Sequence, residues 1–233
     1  MRLTRRTSAR RVAGALDRGL WGDIALVAVA DFLVAVSFGA ISVSGGLPIW
    51  VPVAMSLLVF AGGAQFAAVG AVLAGGSPAA GVLAGLVLNA RLLPFGMAVA
   101  DVFGDRWPAR LLGAHLVVDE TVAFAMGQQD RERRRAVFWV CGVTLFVCWN
   151  LGVIAGSLAG GVVRDTDAFG LDAAFPAVLL ALVLPALRDR RTRNAALLGA
   201  VLALVATPWV PAGLPVLVAL LGLVLARPRR ETR

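Results

Sequence analysis

The sequence predicts an all-α protein that crosses a membrane repeatedly, as a polytopic bundle of about eight hydrophobic segments. Of its 233 residues, 59% are apolar and 15% are charged, and the mean hydropathy is +0.84. Soluble domains are nearer to about 45–50% apolar and about 25% charged. A membrane-crossing helix needs about 20 apolar residues, so about eight such helices fill the chain. No room remains for an attached nucleotide-binding or catalytic module.

The first hydrophobic segment spans residues 24–41 and follows a basic region that contains six arginines. A cleaved secretory signal is the alternative, but the basic region is long and further apolar segments follow without a change in character. We therefore predict a retained first span. The predicted organisation is a cytoplasmic basic N-terminus over residues 1–23, one transmembrane domain over residues 24–226, and a cytoplasmic basic tail over residues 227–233.

Seven further hydrophobic segments follow the first one. They span residues 49–74, 78–100, 108–128, 136–158, 173–187, 194–206 and 213–226. The second segment is broken by Gly62 and Gly63. The fourth is weakly apolar because it contains His115, Asp119 and Glu120, and we predict that it is broken or re-entrant as well. The last three segments are short, so flanking residues must help them to span.

The arginine clusters predict which loops face the cytoplasm. If the fourth segment crosses, the clusters in residues 131–135, 188–193 and 227–233 all fall on the N-terminal side, in agreement with the positive-inside rule. If this segment alone does not cross, every later loop lies on the opposite side of the membrane. We therefore predict eight crossings with both termini in the cytoplasm. Six crossings give the same sidedness if the second and fourth segments are both re-entrant, and this alternative stays open.

Five ionisable residues lie inside the predicted spans, where such groups are costly and mark functional sites by default. They are Asp31, Arg91, His115, Asp119 and Glu120. Because one arginine faces three acids, we expect one acid to hold a proton part of the time. A proton-coupled carrier needs such an acid, and a structural site with one permanently neutral acid would contain one as well.

The spacing of these residues suggests how they pair. His115 and Asp119 are four residues apart and would share one helix face, whereas Glu120 would be rotated by roughly 100°. Arg91 needs a carboxylate partner, and the candidates are Asp119 and Glu120. Such a pair either takes part in function or only fixes helix packing. Asp31 stands alone on the first span.

The broken second segment offers a second kind of polar site. Gly62, Gly63 and Gln65 lie in its middle, and the N-terminus of a half-helix there could hold the carboxylate of a substrate. Close packing through small residues is the alternative. Glycines at residues 81 and 85, and at residues 152, 156 and 160, are predicted to form helix contacts. Asn150 is either an interhelical hydrogen-bond partner or a pathway residue.

Several functional classes have no support in the sequence. There is no H-E-x-x-H, G-x-S-x-G or Walker A motif, so we do not expect an enzyme. His115 is the only histidine, and Cys141 and Cys148 are the only cysteines. We therefore expect no metal and no cofactor. The arginines lie in short runs between apolar stretches, so nucleic acid is not an expected partner.

The order of motifs resembles the AzlC family, the large subunit of bacterial branched-chain amino-acid exporters. The motifs, which fall within residues 24–190, are M-S-L at 55–57, F-A-G-G-A-Q-F at 60–66, N-A-R at 89–91, L-P-F-G at 93–96, A-H-L at 114–116, D-E-T at 119–121, W-N-L-G at 149–152 and G-L-D-A at 170–173. The chain departs from the family's first span, where only S-F-G at 37–39 matches and Asp31 is unusual.

The resemblance implies export of valine, leucine and isoleucine, or other hydrophobic amino acids, across the bacterial cytoplasmic membrane, together with a small AzlD-type subunit. From our reading of the motifs, we predict two groups of site residues. The predicted substrate-binding residues are Ser56, Gly62, Gly63, Gln65, Asn89 and Arg91. The predicted proton-relay or gating residues are His115, Asp119 and Glu120. The alternatives are a membrane scaffold or sensor that transports nothing, and a pore for another small solute.

Overall fold

The computed structural model describes residues 18–162, 184, 186–210, 214–219 and 221–222 of the chain. Every regular element within these ranges is helical, so the predicted all-α class is confirmed for them. The predicted sixth segment falls almost entirely outside the described residues. The predicted tail and most of the predicted N-terminal region also fall outside them.

The described residues form ten α-helices, with short 3-10 helices at Ala100–Val102 and Ala186–Arg188. The α-helices are α1 (Arg18–Ser44), α2 (Trp50–Leu58), α3 (Gly62–Leu73), α4 (Pro78–Asn89), α5 (Leu92–Ala98), α6 (Trp107–His115), α7 (Asp119–Met126), α8 (Arg131–Val162), α9 (Arg190–Ala206) and α10 (Leu214–Ala219). They belong to two compact units. The first unit lies within Met1–Gly62 and Asn89–Arg164, and the second lies within Gly63–Leu88 and Asp165–Arg233.

Three helical stretches of the described chain are long and apolar enough to cross a membrane. They are Arg18–Ser44, Pro78–Ala98 and Arg131–Gly161, and they match the predicted first, third and fifth segments. The second and fourth segments consist of shorter helices. The total of eight crossings stays a prediction.

The long helix α8 organises the first unit. It begins where the Asp130 carboxylate accepts a hydrogen bond of 2.8 Å from the backbone N–H of Arg133. Its buried face includes Val137, Cys141, Leu145, Trp149 and Val153. Its exposed face includes Val143, Val147, Leu151, Ile154 and Leu158. A helix that is apolar on both faces is typical of a membrane span.

Helix α1 packs along α8 through small residues spaced four apart. The closest approaches join Gly152 to the carbonyl oxygen of Phe32, Gly156 to that of Val36, and Gly160 to that of Ala40. A Cβ atom at any of these glycines would overlap the neighbouring backbone. The predicted glycine contact face on α8 is therefore confirmed. Because the residue numbers rise together on both helices, α1 and α8 run parallel.

The breaks predicted in the second and fourth segments are both present. α2 ends at Leu58 and α3 begins at Gly62, and Phe60 between them has a φ angle of +42°. This left-handed conformation is uncommon for a side chain of that size. In the fourth segment α6 ends at His115, and the chain is extended at Val118 before α7 begins.

A third break, which the sequence analysis did not predict, interrupts the third segment at Ala90 and Arg91. α4 ends at Asn89, and α5 begins at Leu92 with Pro94 in its first turn. Proline has no N–H, and its ring excludes the carbonyl four residues earlier, here that of Ala90. The helix therefore restarts beyond Arg91.

The second unit contains two helix pairs, each antiparallel. In the first pair, Gly81 of α4 approaches the backbone of Ala68 on α3, and Gly85 approaches Ala64. This confirms the predicted contact face at residues 81 and 85. In the second pair, Gly199 of α9 approaches the carbonyl oxygen of Ala219 on α10.

Candidate functional site

The centre of the candidate site in the first unit is an ion pair between Arg91 and Asp119. The Nη2 atom of Arg91 lies 3.1 Å from the Oδ2 atom of Asp119, and the two side chains are 53% and 44% exposed, respectively. Of the two carboxylate partners predicted for Arg91, the structure selects Asp119. The pair joins two helix breaks, because Arg91 directly precedes α5 and Asp119 is the first residue of α7.

The start of α7 is fixed by Thr121, which is fully buried. Its hydroxyl accepts a hydrogen bond of 3.0 Å from the backbone N–H of Val118 and donates one of 2.9 Å to the carbonyl of Leu116. The first turn of α7 therefore presents Asp119 and Glu120 at the positive end of the helix dipole, where negative charge is stabilised.

His115 and Asp119 do not share a helix face, and that prediction is wrong. A spacing of four residues places two side chains on one face only in a continuous helix, but α6 ends at His115 and α7 starts at Asp119. His115 instead lies among aromatic rings. Its ring centroid is 6.1 Å from that of Phe60 and 5.6 Å from that of Phe146, and these two phenylalanine rings pack edge to face at 5.1 Å.

Besides Asp119 and Arg91, Glu120 interacts with groups on two other helices. Its carboxyl group interacts electrostatically with that of Asp31 on α1 and with the thiol of Cys141 on α8. Asp31, which the sequence places alone on the first span, therefore interacts with an acid on α7. Helices α1, α7 and α8 bring together two acids that are 89 residues apart in the chain.

Ser56 and Asn150 form a buried polar contact between α2 and α8. The Ser56 hydroxyl donates a hydrogen bond of 2.8 Å to Oδ1 of Asn150, so Asn150 is an interhelical partner. Toward a substrate, the Ser56 oxygen can then act only as an acceptor in this arrangement. Asn89, another predicted substrate-binding residue, ends α4 two residues before Arg91.

Gly62, Gly63 and Gln65 all lie in the first turn of α3. A Cβ atom on Gly62 would lie 2.6 Å from the indole ring of Trp149, so close packing is present at this glycine. Gly63 and Gln65 belong to the second unit. The Gln65 side chain is fully buried, and its amide makes no hydrogen bond with the described residues. The substrate-binding roles of these three residues stay predictions.

Three contributors to this region were missed or left open by sequence reasoning. Trp149 covers Gly62, Phe60 packs on His115, and Pro94 sets the break beside Arg91. Only Pro94 gave a usable signal, because a proline inside an apolar segment indicates an interrupted helix. Within the described residues, no group of three or more His, Cys, Asp or Glu side chains could hold a metal ion.

Comparison with known families agrees with this arrangement of motifs. A family model described as AzlC protein matches residues 27–163, which is more than half of the chain. The chain belongs to the AzlC family. The match covers α1 through α8, and therefore includes both the Arg91–Asp119 ion pair and the Ser56–Asn150 hydrogen bond.

Relatives of this AzlC protein occur in both bacteria and archaea. It is 28% identical to an uncharacterized membrane protein of Helicobacter pylori over 83% of this chain and 86% of the relative. It is 29% identical to one of Archaeoglobus fulgidus over 75% of this chain and 78% of that relative. One from Haemophilus influenzae is 26% identical over 76% of this chain and 74% of its own length. No solved structure shows a significant match.

Proposed function

We propose that this AzlC protein is the large subunit of a secondary transporter in the bacterial cytoplasmic membrane. It exports branched-chain or other hydrophobic amino acids such as valine, leucine and isoleucine. A small AzlD-type membrane subunit completes the transporter, and proton movement drives export. The chain itself performs no catalytic chemistry.

One observation supports this proposal above the others, the Arg91–Asp119 ion pair at the ends of broken helices. Charged side chains inside apolar segments are costly, and such groups generally mark substrate or ion pathways. Interrupted helices in transporters frequently surround a substrate site. Both side chains are about half exposed, so a solute can reach the pair.

The proton-coupling part of the proposal rests on the remaining acids. Asp119 contacts Arg91 directly, and Glu120 interacts electrostatically with Asp31 on α1. Two carboxyl groups that share an apolar environment favour a state with one proton between them. Such a pair can take up and release a proton during each transport cycle.

The direction of the helices agrees with the proposed topology. α1 and α8 run parallel along their glycine contacts, so an odd number of crossings lies between them if both span the membrane. Eight crossings satisfy this condition, and so do six with two re-entrant segments. In both cases the arginine clusters face the cytoplasm, together with both termini.

The test is counterflow of labelled valine in proteoliposomes that contain the chain alone or with an AzlD-type subunit. A carrier should give saturable counterflow that leucine competes for. Transport only by the pair of subunits would support the two-subunit form of the proposal. Flux without counterflow would indicate a pore, and absence of flux for all amino acids in both preparations would indicate a scaffold or sensor.

A further inference from the structure

We propose that the Arg91–Asp119 ion pair is itself the receptor for the two charged ends of the substrate. In this proposal the guanidinium group of Arg91 binds the α-carboxylate, and the carboxylate of Asp119 binds the α-ammonium. The ligand class is a zwitterionic α-amino acid. The inference rests on the proposed function for this substrate class, and it adds which residue recognises which end.

The geometry of the pair leaves both charges open to a solute. Ion pairs with the strongest attraction are bidentate, and a pair that is taken out of water needs further hydrogen bonds to offset its desolvation. Here the contact of 3.1 Å runs through one carboxylate oxygen, and about half of each side chain is exposed. A solute can therefore reach both charges.

The second carboxylate oxygen of Asp119 supplies an independent observation. Its Oδ1 atom is buried and has no hydrogen-bond partner among the described residues. A buried carboxylate oxygen without a donor is unfavourable. An ammonium group carries three donors, so a substrate amine can serve both oxygens of Asp119, which the single contact with Arg91 does not.

The exchange conserves charge. In the empty site the two charges neutralise each other, and in the occupied site the ammonium and carboxylate of one zwitterion neutralise them instead. No net charge enters the apolar segments, which keeps the desolvation cost of binding low. Both residues also lie at helix breaks, where a small rotation of α5 or α7 can part them without breaking a continuous helix.

The test measures binding of three compounds that share the isopropyl group of valine to the full-length chain in lipid nanodiscs, alone and with an AzlD-type subunit. Valine carries both charges, 2-ketoisovalerate keeps only the carboxylate, and isobutylamine keeps only the ammonium. In the Asp119→Asn variant, valine should bind about tenfold more weakly or worse, while 2-ketoisovalerate binding should not fall. In the Arg91→Gln variant, valine should weaken similarly while isobutylamine binding should not fall.

A matched control and two conservative variants complete the design. Asp101 also forms an ion pair, 3.6 Å from Arg134, and its side chain is 38% exposed, so Asp101→Asn should leave the binding of all three compounds unchanged. If the neutral variants fail to fold, Asp119→Glu and Arg91→Lys keep the charges. These variants should still bind valine better than either analogue, and loss of that preference would overturn the proposal.

The outcomes separate this proposal from the proposed function. If valine binds to the wild type but each substitution changes all three affinities by one common factor, or changes none of them, the pair is structural and this inference is wrong. The wild type could also bind other α-amino acids but not hydrophobic ones. If Asp119→Asn then spares the analogue that has only a carboxylate, and Arg91→Gln spares the analogue that has only an ammonium group, this inference stands and the proposed substrate range fails. If no α-amino acid binds, both proposals fail.

Discussion

The hydroxyl of Ser56 on α2 donates a hydrogen bond of 2.8 Å to the side-chain oxygen of Asn150 on α8. The amide nitrogen of Asn150 in turn donates to the carbonyl of Phe146 at 2.8 Å. Both ends of the Asn150 side chain are therefore satisfied inside the first unit. In an apolar environment, a satisfied polar contact of this kind fixes one helix against another.

Removing the Ser56 hydroxyl should destabilise the first unit. Ser56→Ala leaves the oxygen of Asn150 without its donor, and we expect a loss of about 1 kcal/mol in the free energy of unfolding. Reversible unfolding in mixed micelles measures this quantity. Ser37→Ala is the matched control, since the Ser37 hydroxyl bonds only to the Leu33 carbonyl of its own helix.

A double-mutant cycle distinguishes this contact from a general effect of the substitution. In an Asn150→Leu background the acceptor oxygen of the Ser56 hydroxyl is absent. Ser56→Ala should therefore lower the free energy of unfolding clearly less than it does in the wild type. An equal cost in both backgrounds would mean that the hydrogen bond contributes nothing to stability.

The parallel packing of α1 on α8 should tolerate no side chain at Gly156. A Cβ atom there would overlap the carbonyl of Val36, and backbone cannot move aside as a flexible side chain can. Gly156→Ala should lower the free energy of unfolding by about 2 kcal/mol. Gly161→Ala on the same helix is the control, because no atom lies within 4 Å of its added Cβ, and equal losses in both variants would contradict the packing argument.

The N-terminus of α9 should depend on pH through Asp189. Hydrogen bonds from the backbone N–H and the hydroxyl of Thr192 lower the pKa of this carboxyl below its ordinary value of 3.8. A lowered pKa contributes stability that is present above the ordinary value and is lost as the pH falls through the lowered one. The protection of amides at the start of α9 against hydrogen exchange, relative to the unfolded chain at the same pH, should therefore fall only in that acidic range.

The Asp189→Asn variant checks the origin of that effect. An asparagine can still accept the hydrogen bond from the N–H of Thr192 but does not titrate. Its protection at the start of α9 should therefore show no added loss in the acidic range. If the variant and the wild type respond identically, the Asp189 carboxyl is not the titrating group.

Hydropathy predicts the long helices well, but it predicts only some of the helix breaks. The apolar segments at 24–41 and 136–158 form α1 and α8. A segment of about 20 apolar residues in a membrane must satisfy its backbone hydrogen bonds internally, and a helix does so. The break near Gly62 was visible from composition. The break at Arg91 was not predicted, because apolar content measures length and polarity but does not register the hydrogen bond that Pro94 removes.

The site was predictable in its residue types but not in its pairing. The sequence limits the partner of Arg91 to two neighbouring acids, Asp119 and Glu120. Which of the two contacts Arg91 depends on where α7 starts. Thr121 fixes that start through hydrogen bonds to residues outside the helix. The same break separates His115 from Asp119. The electrostatic interaction between Asp31 and Glu120 joins distant parts of the chain, and a single sequence contains no signal for it.

Gly62 should be the position at which packing and transport are most directly linked. Its added Cβ atom would lie 2.6 Å from the ring of Trp149, which is buried and stacked on Phe38 with ring centroids 6.3 Å apart. The indole therefore has little freedom to move. Gly62→Ala should destabilise the first unit by about 1–3 kcal/mol and reduce valine counterflow.

The Trp149→Phe substitution removes the part of the indole ring that the new methyl group would meet. Adding it to Gly62→Ala should recover much of the lost stability, and counterflow should return with it if the break must keep its shape for transport. Gly96→Ala is the control, since its added Cβ meets no atom within 4 Å. Recovered stability without recovered counterflow would show that the Trp149 ring itself is required for transport.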